Sequence, residues 1–174
     1  MKDIFKGIKL LALDVDGVLT DGTITINSDG TDSRSFNTLD GVGIVLWRKA
    51  GLDIAIISGG KSNAVVQRAK QLKIHYVYQK CHNKLEQLQK LLSQICSISP
   101  QEVVYIGDDL SDLDSIRYVG FGVAVANAVD EVKIHADYVT ACPGGKGAVR
   151  EVIEYILKKS GKWNMLVEPY KPVK

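Results

Sequence analysis

The stretch Ile8-Lys9-Leu10-Leu11-Ala12-Leu13-Asp14-Val15-Asp16-Gly17, residues 8–17, decides how the rest of the chain is interpreted. Its apolar part, from Ile8 to Leu13, has the length of a buried β-strand, and two aspartates follow it. Because Asp14 and Asp16 are two residues apart, an extended chain points both carboxylates to one side, where their charges repel. Carboxylates in that arrangement indicate a bound cation or a reaction.

Other segments continue the alternation that this strand begins. Further apolar runs of strand length occur at 54–57, 103–106 and 123–125. Segments with helical spacing occur at 42–50, 64–72, 85–95, 110–119 and 148–157. Asp40 is the expected N-cap of the first of these helices, and Ser62 or Asn63 of the second. The alternation predicts an α/β fold, a Rossmann-like doubly wound parallel sheet.

The interval 22–37 does not fit this alternation of strands and helices. Two short extended segments flank Asn27-Ser28-Asp29-Gly30, whose Asp-Gly pair is a strong turn signal, so we expect a projecting β-hairpin. An isolated hairpin is marginally stable, which favours packing against the body or pairing in an oligomer. We expect one domain over 1–160, without a cap domain, and a loose C-terminal tail over 161–174 that either packs weakly or closes a neighbouring active site.

Composition excludes several classes of function. The chain has 174 residues, 45% of them hydrophobic, and a formal net charge of +2. That balance gives no reason to expect nucleic acid as a partner, and no apolar stretch approaches the roughly 20 residues of a membrane span. We therefore expect a cytoplasmic protein with no membrane partner, in which Cys81, Cys96 and Cys142 are reduced thiols.

Polar residues follow the other predicted strands. Ser58 comes after the run at 54–57, and Asp108-Asp109 come after the run at 103–106. Ligands of open parallel sheets bind beyond the carboxyl ends of the strands, so topology should bring these groups close to Asp14. Together with Lys84, they have the composition of a phosphoryl-transfer site.

The residue types suggest separate roles. Asp14 is the candidate nucleophile, because a carboxylate can attack phosphorus and form an aspartyl-phosphate. Asp16 could protonate the leaving oxygen and then deprotonate water. Ser58 can donate a hydrogen bond to phosphoryl oxygens, and Lys84 can stabilise the negative transition state. Asp14 and Asp108 suit Mg²⁺, which prefers oxygen ligands.

The residues so far described resemble the four motifs of the haloacid dehalogenase (HAD) phosphatases. The matching segments are Asp14-Val15-Asp16-Gly17-Val18-Leu19-Thr20, Ser58-Gly59, Lys84 and Gly107-Asp108-Asp109-x-x-Asp112. The resemblance implies an aspartyl-phosphate mechanism with Asp14 as nucleophile and Asp16 as acid/base. It also implies Mg²⁺ held by Asp14, Asp108 and the main-chain carbonyl of Asp16. Asp109 and Asp112 would support these ligands without binding the ion.

A narrower resemblance covers most of the chain. Thr20-Asp21-Gly22 before a hairpin, Phe36-Asn37-x-x-Asp40-Gly41, Asn83-Lys84-Leu85 and Gly144-Gly145-Lys146-Gly147-Ala148-Val149-Arg150-Glu151 are similar to the capless 3-deoxy-D-manno-octulosonate 8-phosphate phosphatases. This likeness implies a homotetramer, a phosphorylated sugar acid as substrate and a role in lipopolysaccharide biosynthesis. The substrate contacts it implies are Asp16, Asn37, Thr38, Leu39, Asp40, Gly41, Ser58, Gly59, Arg68 and Lys84.

Three positions depart from the patterns of related phosphatases. Octulosonate phosphatases usually have arginines where this chain has Val45 and Gly60, and phosphatases of nine-carbon sugar acids tend to have glutamate and lysine where it has Gly60 and Gln71. A phosphatase of an acylneuraminate-type 9-phosphate, or of small phosphoesters in general, therefore remains an alternative. So does another class of function, a non-catalytic phosphoacceptor or scaffold subunit.

Overall fold

The computed structural model describes residues 4–170, so the first three residues of the expected domain and the last four of the expected tail lie outside it. The strands, in chain order, are β1 Leu10–Leu13, β2 Thr25–Ile26, β3 Asp32–Ser33, β4 Asp53–Ile57, β5 Tyr76–Tyr78, β6 Val103–Gly107, β7 Phe121–Ala124 and β8 Tyr138–Val139. The α-helices are α1 Ile4–Gly7, α2 Thr38–Lys49, α3 Asn63–Leu72, α4 Lys84–Ile95, α5 Leu113–Tyr118, α6 Asp130–His135, α7 Ala148–Lys159 and α8 Trp163–Val167.

Six strands form one parallel sheet in the order β5-β4-β1-β6-β7-β8, which confirms the predicted fold class. Strand β1 lies in the middle, and its Leu13 pairs with Ile56 of β4 and with Ile106 of β6. All four residues of β1 are buried, as its continuous apolar sequence requires of a strand covered on both faces. This register places the carboxyl ends of β1, β4 and β6 side by side.

Strands β2 and β3 form a separate antiparallel hairpin, with Thr25 opposite Ser33 and Ile26 opposite Asp32. Its turn is closed by the Asn27 amide, which donates to the Thr31 carbonyl at 2.8 Å. The strands are shorter than the sequence suggested, and Ile26 is 70% exposed. The turn end of the hairpin, which carries Ile26, therefore projects from the sheet, as expected.

Two helix boundaries differ from the sequence expectation. Helix α2 begins at Thr38, and its N-cap is Asn37, whose side chain accepts from the Leu39 amide at 2.7 Å. The prediction of Asp40 as the N-cap was wrong, because its carboxylate accepts a hydrogen bond from another helix. The segment expected as one helix over 110–119 is a 3-10 turn at Leu110–Asp112 followed by α5.

Strands β5 and β8 were not expected, because each is only two or three residues long and partly exposed. The tail also differs from expectation over its described part. Residues 163–170 form α8 and a 3-10 turn. Leu166 is buried in the core, and Lys158 Nζ lies 4.9 Å from the centre of the Trp163 ring. Within residues 4–170, no helix combines the length and the apolar character that crossing a membrane requires.

Candidate active site

Three carboxylates meet at the carboxyl end of the sheet. Asp14 follows β1, Asp108 follows β6, and Asp112 lies in the 3-10 turn just after it. One oxygen from each lies within 4.8 Å of the others. The Asp14 amide donates to the Ile106 carbonyl at 3.0 Å, so the parallel pairing of β1 and β6 continues to the first aspartate and fixes its distance from Asp108.

Burial and mutual repulsion make this cluster unfavourable without a cation. Burial, together with the Asp112 charge, raises the pKa of Asp14 to about 8, although Lys84 opposes the change. The same two causes raise the pKa of Asp108 to about 7. In addition, Oδ1 of Asp108 is buried without a hydrogen-bond partner. A group of buried carboxylate oxygens with a vacant acceptor fits a hard divalent cation such as Mg²⁺.

Asp112 has a different environment from the other two aspartates. Its Oδ1 accepts from Lys84 Nζ at 2.7 Å and from the Tyr105 hydroxyl at 2.7 Å. Its Oδ2 accepts from the amides of Asp108 and Asp109 at 3.2 and 3.3 Å. Because both oxygens are already engaged, Asp112 holds the loop after β6 and the lysine in place, which leaves Asp14 and Asp108 as the carboxylates available to a cation.

Lys84 begins α4 directly after the N-cap Asn83, which fixes the start of the helix and so the direction of the lysine. Its Nζ lies 3.1 Å from Asp14 Oδ2, and its side chain is 4% exposed. Burial alone would lower the pKa of this lysine, but the carboxylates of Asp14 and Asp112 outweigh burial and raise it. Lys84 is therefore a cation held beside the candidate nucleophile.

A pocket of about 230 Å³ opens above these groups. It is lined by Asp14, Asp16, Ser58, Gly59, Gly60, Cys81, Lys84, Asp108, Asp109 and Ser111. Ser58 follows β4 and is buried, and its hydroxyl accepts from the Gly60 amide at 3.2 Å. The structure thus brings together the candidate nucleophile, acid/base, phosphoryl-binding serine and lysine in one concave space.

Asp16 has a partner that the sequence did not indicate. Arg34, just after β3, donates from Nε to Asp16 Oδ1 at 2.6 Å and from Nη2 to Asp16 Oδ2 at 3.2 Å. Its Nη1 also contacts the Asp32 carboxylate. No local pattern could have identified this pair, because the hairpin must fold back over β1 before the two side chains meet.

The expected substrate contacts over 37–41 and Arg68 lie outside that pocket in the single chain. Asn37 donates from Nδ2 to the Gly145 carbonyl at 3.2 Å, and Arg68 donates from Nη2 to the Asn37 carbonyl at 3.2 Å. Leu39 is 58% exposed. A separate depression of about 370 Å³ is lined by Thr38, Gly41, Val42, Val45, Arg68, Leu72 and Tyr170.

Asp40 points into the protein and is 1% exposed. Its Oδ1 accepts from the Arg150 amide in the first turn of α7 at 2.9 Å. The N-cap of α7 is Gly147, which has no side chain to cap the helix, so Asp40 serves as a cap supplied by α2. Burial raises the pKa of Asp40 despite the hydrogen bond from the Arg150 amide.

The loop that carries Asp14 and Asp16 packs tightly against Asp108 and against the loop that carries Gly144. Gly17 has φ of 91°, and a Cβ there would overlap the Asp108 carboxylate. A Cβ on Gly144 would overlap the Gly17 carbonyl. Asn127 joins the two loops, since it donates to the Gly17 carbonyl at 3.1 Å and accepts from the Gly144 amide at 2.6 Å.

Comparisons with known proteins agree with this geometry. A family model described as haloacid dehalogenase-like hydrolase matches residues 58–153. The curated 3-deoxy-D-manno-octulosonate 8-phosphate phosphatase KdsC of Escherichia coli is 43% identical over 157 residues, which are 90% of this chain and 83% of that protein.

Solved structures extend the similarity to the whole fold. The 3-deoxy-D-manno-octulosonate 8-phosphate phosphatase of Moraxella catarrhalis, in complex with magnesium ion, phosphate ion and KDO, matches with a TM-score of 0.94 at 40% identity, covering 98% of this chain and 99% of that one. The cobalt-bound phosphatase of Haemophilus influenzae matches with a TM-score of 0.87 at 35% identity, covering 91% and 92%. The chain therefore belongs to the haloacid dehalogenase-like hydrolases, within the group of capless 3-deoxy-D-manno-octulosonate 8-phosphate phosphatases.

Proposed function

We propose that this chain is a phosphatase that hydrolyses 3-deoxy-D-manno-octulosonate 8-phosphate through an aspartyl-phosphate on Asp14. The observation that carries the proposal is the meeting of Asp14, Lys84 and Asp108 in one pocket with Ser58 at its wall. The names of its relatives in Escherichia coli and Moraxella catarrhalis support the reaction class, phosphoric monoester hydrolysis, and the sugar acid as substrate.

In the first half-reaction, a carboxylate oxygen of Asp14 forms a bond to phosphorus while the bond from phosphorus to the sugar oxygen breaks. The electron pair of that bond remains on the sugar oxygen, which receives a proton from Asp16. In the second half-reaction, Asp16 accepts a proton from water, and the water oxygen attacks phosphorus and releases Asp14. Dividing the hydrolysis in this way replaces one difficult displacement by two easier ones.

Asp14, Asp108 and the main-chain carbonyl of Asp16 are the groups that would hold Mg²⁺. When bound, the cation supplies positive charge for the carboxylates and for the phosphoryl oxygens. The chain itself supplies the remaining stabilisation. Lys84, 3.1 Å from Asp14, reduces repulsion between the nucleophile and an anionic substrate, and Ser58 offers a hydroxyl to the phosphoryl oxygens.

Recognition of the sugar acid is the finer part of the proposal. We assign it to residues 37–39, Gly41 and Arg68, of which Thr38, Gly41 and Arg68 line a depression separate from the catalytic pocket. We infer that in a homotetramer this surface faces the pocket of a neighbouring subunit. The exposed side chains of Ile26 and Leu39 support an assembly in which hairpin and α2 are covered.

The proposal also covers the division of the chain and its location. We propose one catalytic domain over 1–160 with the hairpin insert at about 22–37, and a tail over 161–174. A cytoplasmic location is supported by Cys81, Cys96 and Cys142, which are free thiols in the structure. Cell fractionation with an antibody against the protein would test the location.

The decisive experiment compares wild type with Asp14→Asn. We expect the variant to lose turnover of the octulosonate phosphate while keeping the wild-type unfolding temperature, because the amide cannot act as a nucleophile. Acid quenching of the wild type should trap phosphate on the peptide that contains Asp14, detected by mass spectrometry. Asp53→Asn, at the opposite end of the sheet and exposed, is the matched control and should retain full activity.

Retained turnover in Asp14→Asn would contradict the proposed mechanism. A panel of phosphate esters tests the substrate separately. We expect the eight-carbon sugar acid phosphate to have the highest kcat/KM, ahead of acylneuraminate 9-phosphate, neutral sugar phosphates and nucleotides. A preference for the nine-carbon acid would overturn the substrate, and no turnover of any ester would favour a scaffold role.

A further inference from the structure

We propose that Arg34 of the hairpin is a positioning residue, which holds Oδ1 of Asp16 so that Oδ2 can carry the proton that passes to the leaving oxygen. This inference rests on the proposed function, since it assigns a part to Arg34 in that reaction. It also makes the hairpin a component of the catalytic machinery, in addition to any part it has in assembly.

The contact between the two side chains has the geometry that fixes a carboxylate most firmly. Arg34 donates two hydrogen bonds, from Nε to Oδ1 at 2.6 Å and from Nη2 to Oδ2 at 3.2 Å. A bidentate pair defines the plane of the carboxylate as well as its position, which a single point charge does not. When Oδ2 carries the proton, the longer contact from Nη2 opens, and the shorter bond from Nε to Oδ1 continues to hold the group. Among residues 4–170, no other side chain is shown bonded to the Asp16 carboxylate.

Arg34 is itself held in place. Its side chain is 4% exposed, and its Nη1 contacts Asp32, which is paired with Ile26 in the hairpin ladder. A free arginine would lose much of its rotamer freedom when it bound Asp16, and burial in the hairpin removes much of that cost in advance. The guanidinium is therefore a rigid support for Asp16.

The side of the Arg34–Asp16 pair that faces residue 60 is open, because that residue is glycine. A Cβ at Gly60 would lie 3.4 Å from Asp16 Oδ2 and 3.7 Å from Arg34 Nη2. A methyl group would thus make ordinary contacts, but a longer side chain would enter the space that the pair occupies. The glycine keeps this space free, and it lies beside Ser58, whose Oγ would be 3.8 Å from the same Cβ.

The expected consequence depends on the leaving group. Proton donation matters greatly when the departing oxygen is an alkoxide and little when it is a nitrophenolate, which leaves readily without a proton. The ratio kcat/KM reports the steps up to transfer of the phosphoryl group to Asp14, so comparing two esters isolates the acid step. A defect in folding or in phosphoryl binding would affect both esters equally.

The experiment measures kcat/KM of wild type, Arg34→Ala and Arg34→Lys with an alkyl ester, the octulosonate phosphate, and with p-nitrophenyl phosphate. We expect both variants to lose on the order of 10- to 100-fold on the alkyl ester, as misplacement of a catalytic group does. On p-nitrophenyl phosphate we expect a loss of less than about threefold. Arg34→Lys keeps the charge and most of the packing, so it carries the test if Arg34→Ala does not fold.

Two further comparisons show whether Arg34 acts through Asp16. In an Asp16→Asn background, Arg34→Lys should cause no additional loss, because residues that act as a unit are not additive. Arg48→Ala removes an arginine that donates to the Leu72 carbonyl away from the pocket, and it should affect both esters equally or not at all.

Equal losses on the two esters, or a further loss in the Asp16→Asn background, would overturn the role of Arg34. The wild type measured in parallel separates this result from failure of the proposed function. If the wild type does not hydrolyse the octulosonate phosphate, the substrate proposal fails, and the Arg34 comparison is made with an alkyl phosphate that it does hydrolyse.

Discussion

Two carboxylates of the pocket, those of Asp14 and Asp108, have pKa values raised to about 8 and about 7 because they are buried near Asp112. In the metal-free chain the folded state therefore binds more protons than the unfolded state between about pH 4 and pH 8. Stability of the metal-free fold should fall as pH rises through that window. A cation that binds the ionised carboxylates has to displace these protons.

We predict that the affinity for Mg²⁺ increases with pH from about 6 to about 8, by up to about tenfold per pH unit for each proton displaced. Calorimetric titration with MgCl₂ in buffers of different ionisation enthalpy would measure both the affinity and the protons released. Asp108→Asn should weaken binding and reduce its pH dependence. An affinity independent of pH would show that the carboxylates are already ionised in the metal-free chain.

Residue-scale interpretation of the sequence was most successful where a polar side chain directly follows a strand. Asp14, Ser58 and Asp108 follow adjacent parallel strands, so the sheet itself brings them together. Arg34 could not be identified in this way, because its contact with Asp16 depends on how the hairpin folds over the sheet. Asp40 could not be placed either, because its bonding partner is more than one hundred residues away.

At the scale of elements, Asp40 connects α2 to the start of α7. We predict that Asp40→Ala lowers the free energy of unfolding by about 1–2 kcal/mol, the usual cost of losing an N-cap. Urea denaturation of the variant and the wild type would measure this loss. Because the carboxylate points into the protein, KM should change little; a large increase in KM with unchanged stability would instead place Asp40 at the substrate.

Glu151 of α7 holds the loop before that helix. It accepts from the amides of Ala141 and Cys142, both at 2.9 Å, and from the Tyr138 hydroxyl at 2.8 Å. Burial alone would raise the pKa of Glu151, but these hydrogen bonds together hold it below its usual value. The stabilisation is therefore present at neutral pH and decreases as pH falls through that lowered pKa.

We predict that Glu151→Gln lowers the free energy of unfolding by about 1 kcal/mol at neutral pH, because charged acceptors make stronger hydrogen bonds than amides. The difference from wild type should become smaller as pH falls through the lowered pKa of Glu151, where the wild-type carboxylate takes up a proton. Denaturant unfolding at several pH values would measure it. A difference that does not depend on pH would mean that packing of the side chain is responsible.

The central strands could be predicted from the sequence, whereas the edge strands of the sheet could not. Continuous apolar runs identified β1, β4, β6 and β7, since strands covered on both faces must be apolar. The edge strands β5 and β8 are short and partly exposed, so they lack that signal. The helix at Trp163–Val167 was also not expected, because Trp163 and Leu166 are too few to define a helix by periodicity.

For the whole molecule, the exposed face of the hairpin bears on assembly. We predict that Ile26→Asp dissociates the proposed tetramer, since a charge would be buried where an apolar side chain packs. Light scattering coupled to size-exclusion chromatography would measure the mass. Ile134→Asp is the matched control, because Ile134 in α6 is 76% exposed, close to the 70% of Ile26. Dissociation by both variants, or by neither, would contradict an interface at the hairpin.

The overlap that side chains would cause between Gly144 and Gly17 has a consequence for biosynthesis. The loop bearing the proposed nucleophile leaves the ribosome first, and the glycine that supports it emerges about 130 residues later. A nascent chain that has formed its first strands therefore still lacks the glycine that supports that loop. The enzyme should acquire activity only after residue 144 has emerged, so a premature stop codon before residue 144 would yield a product without turnover.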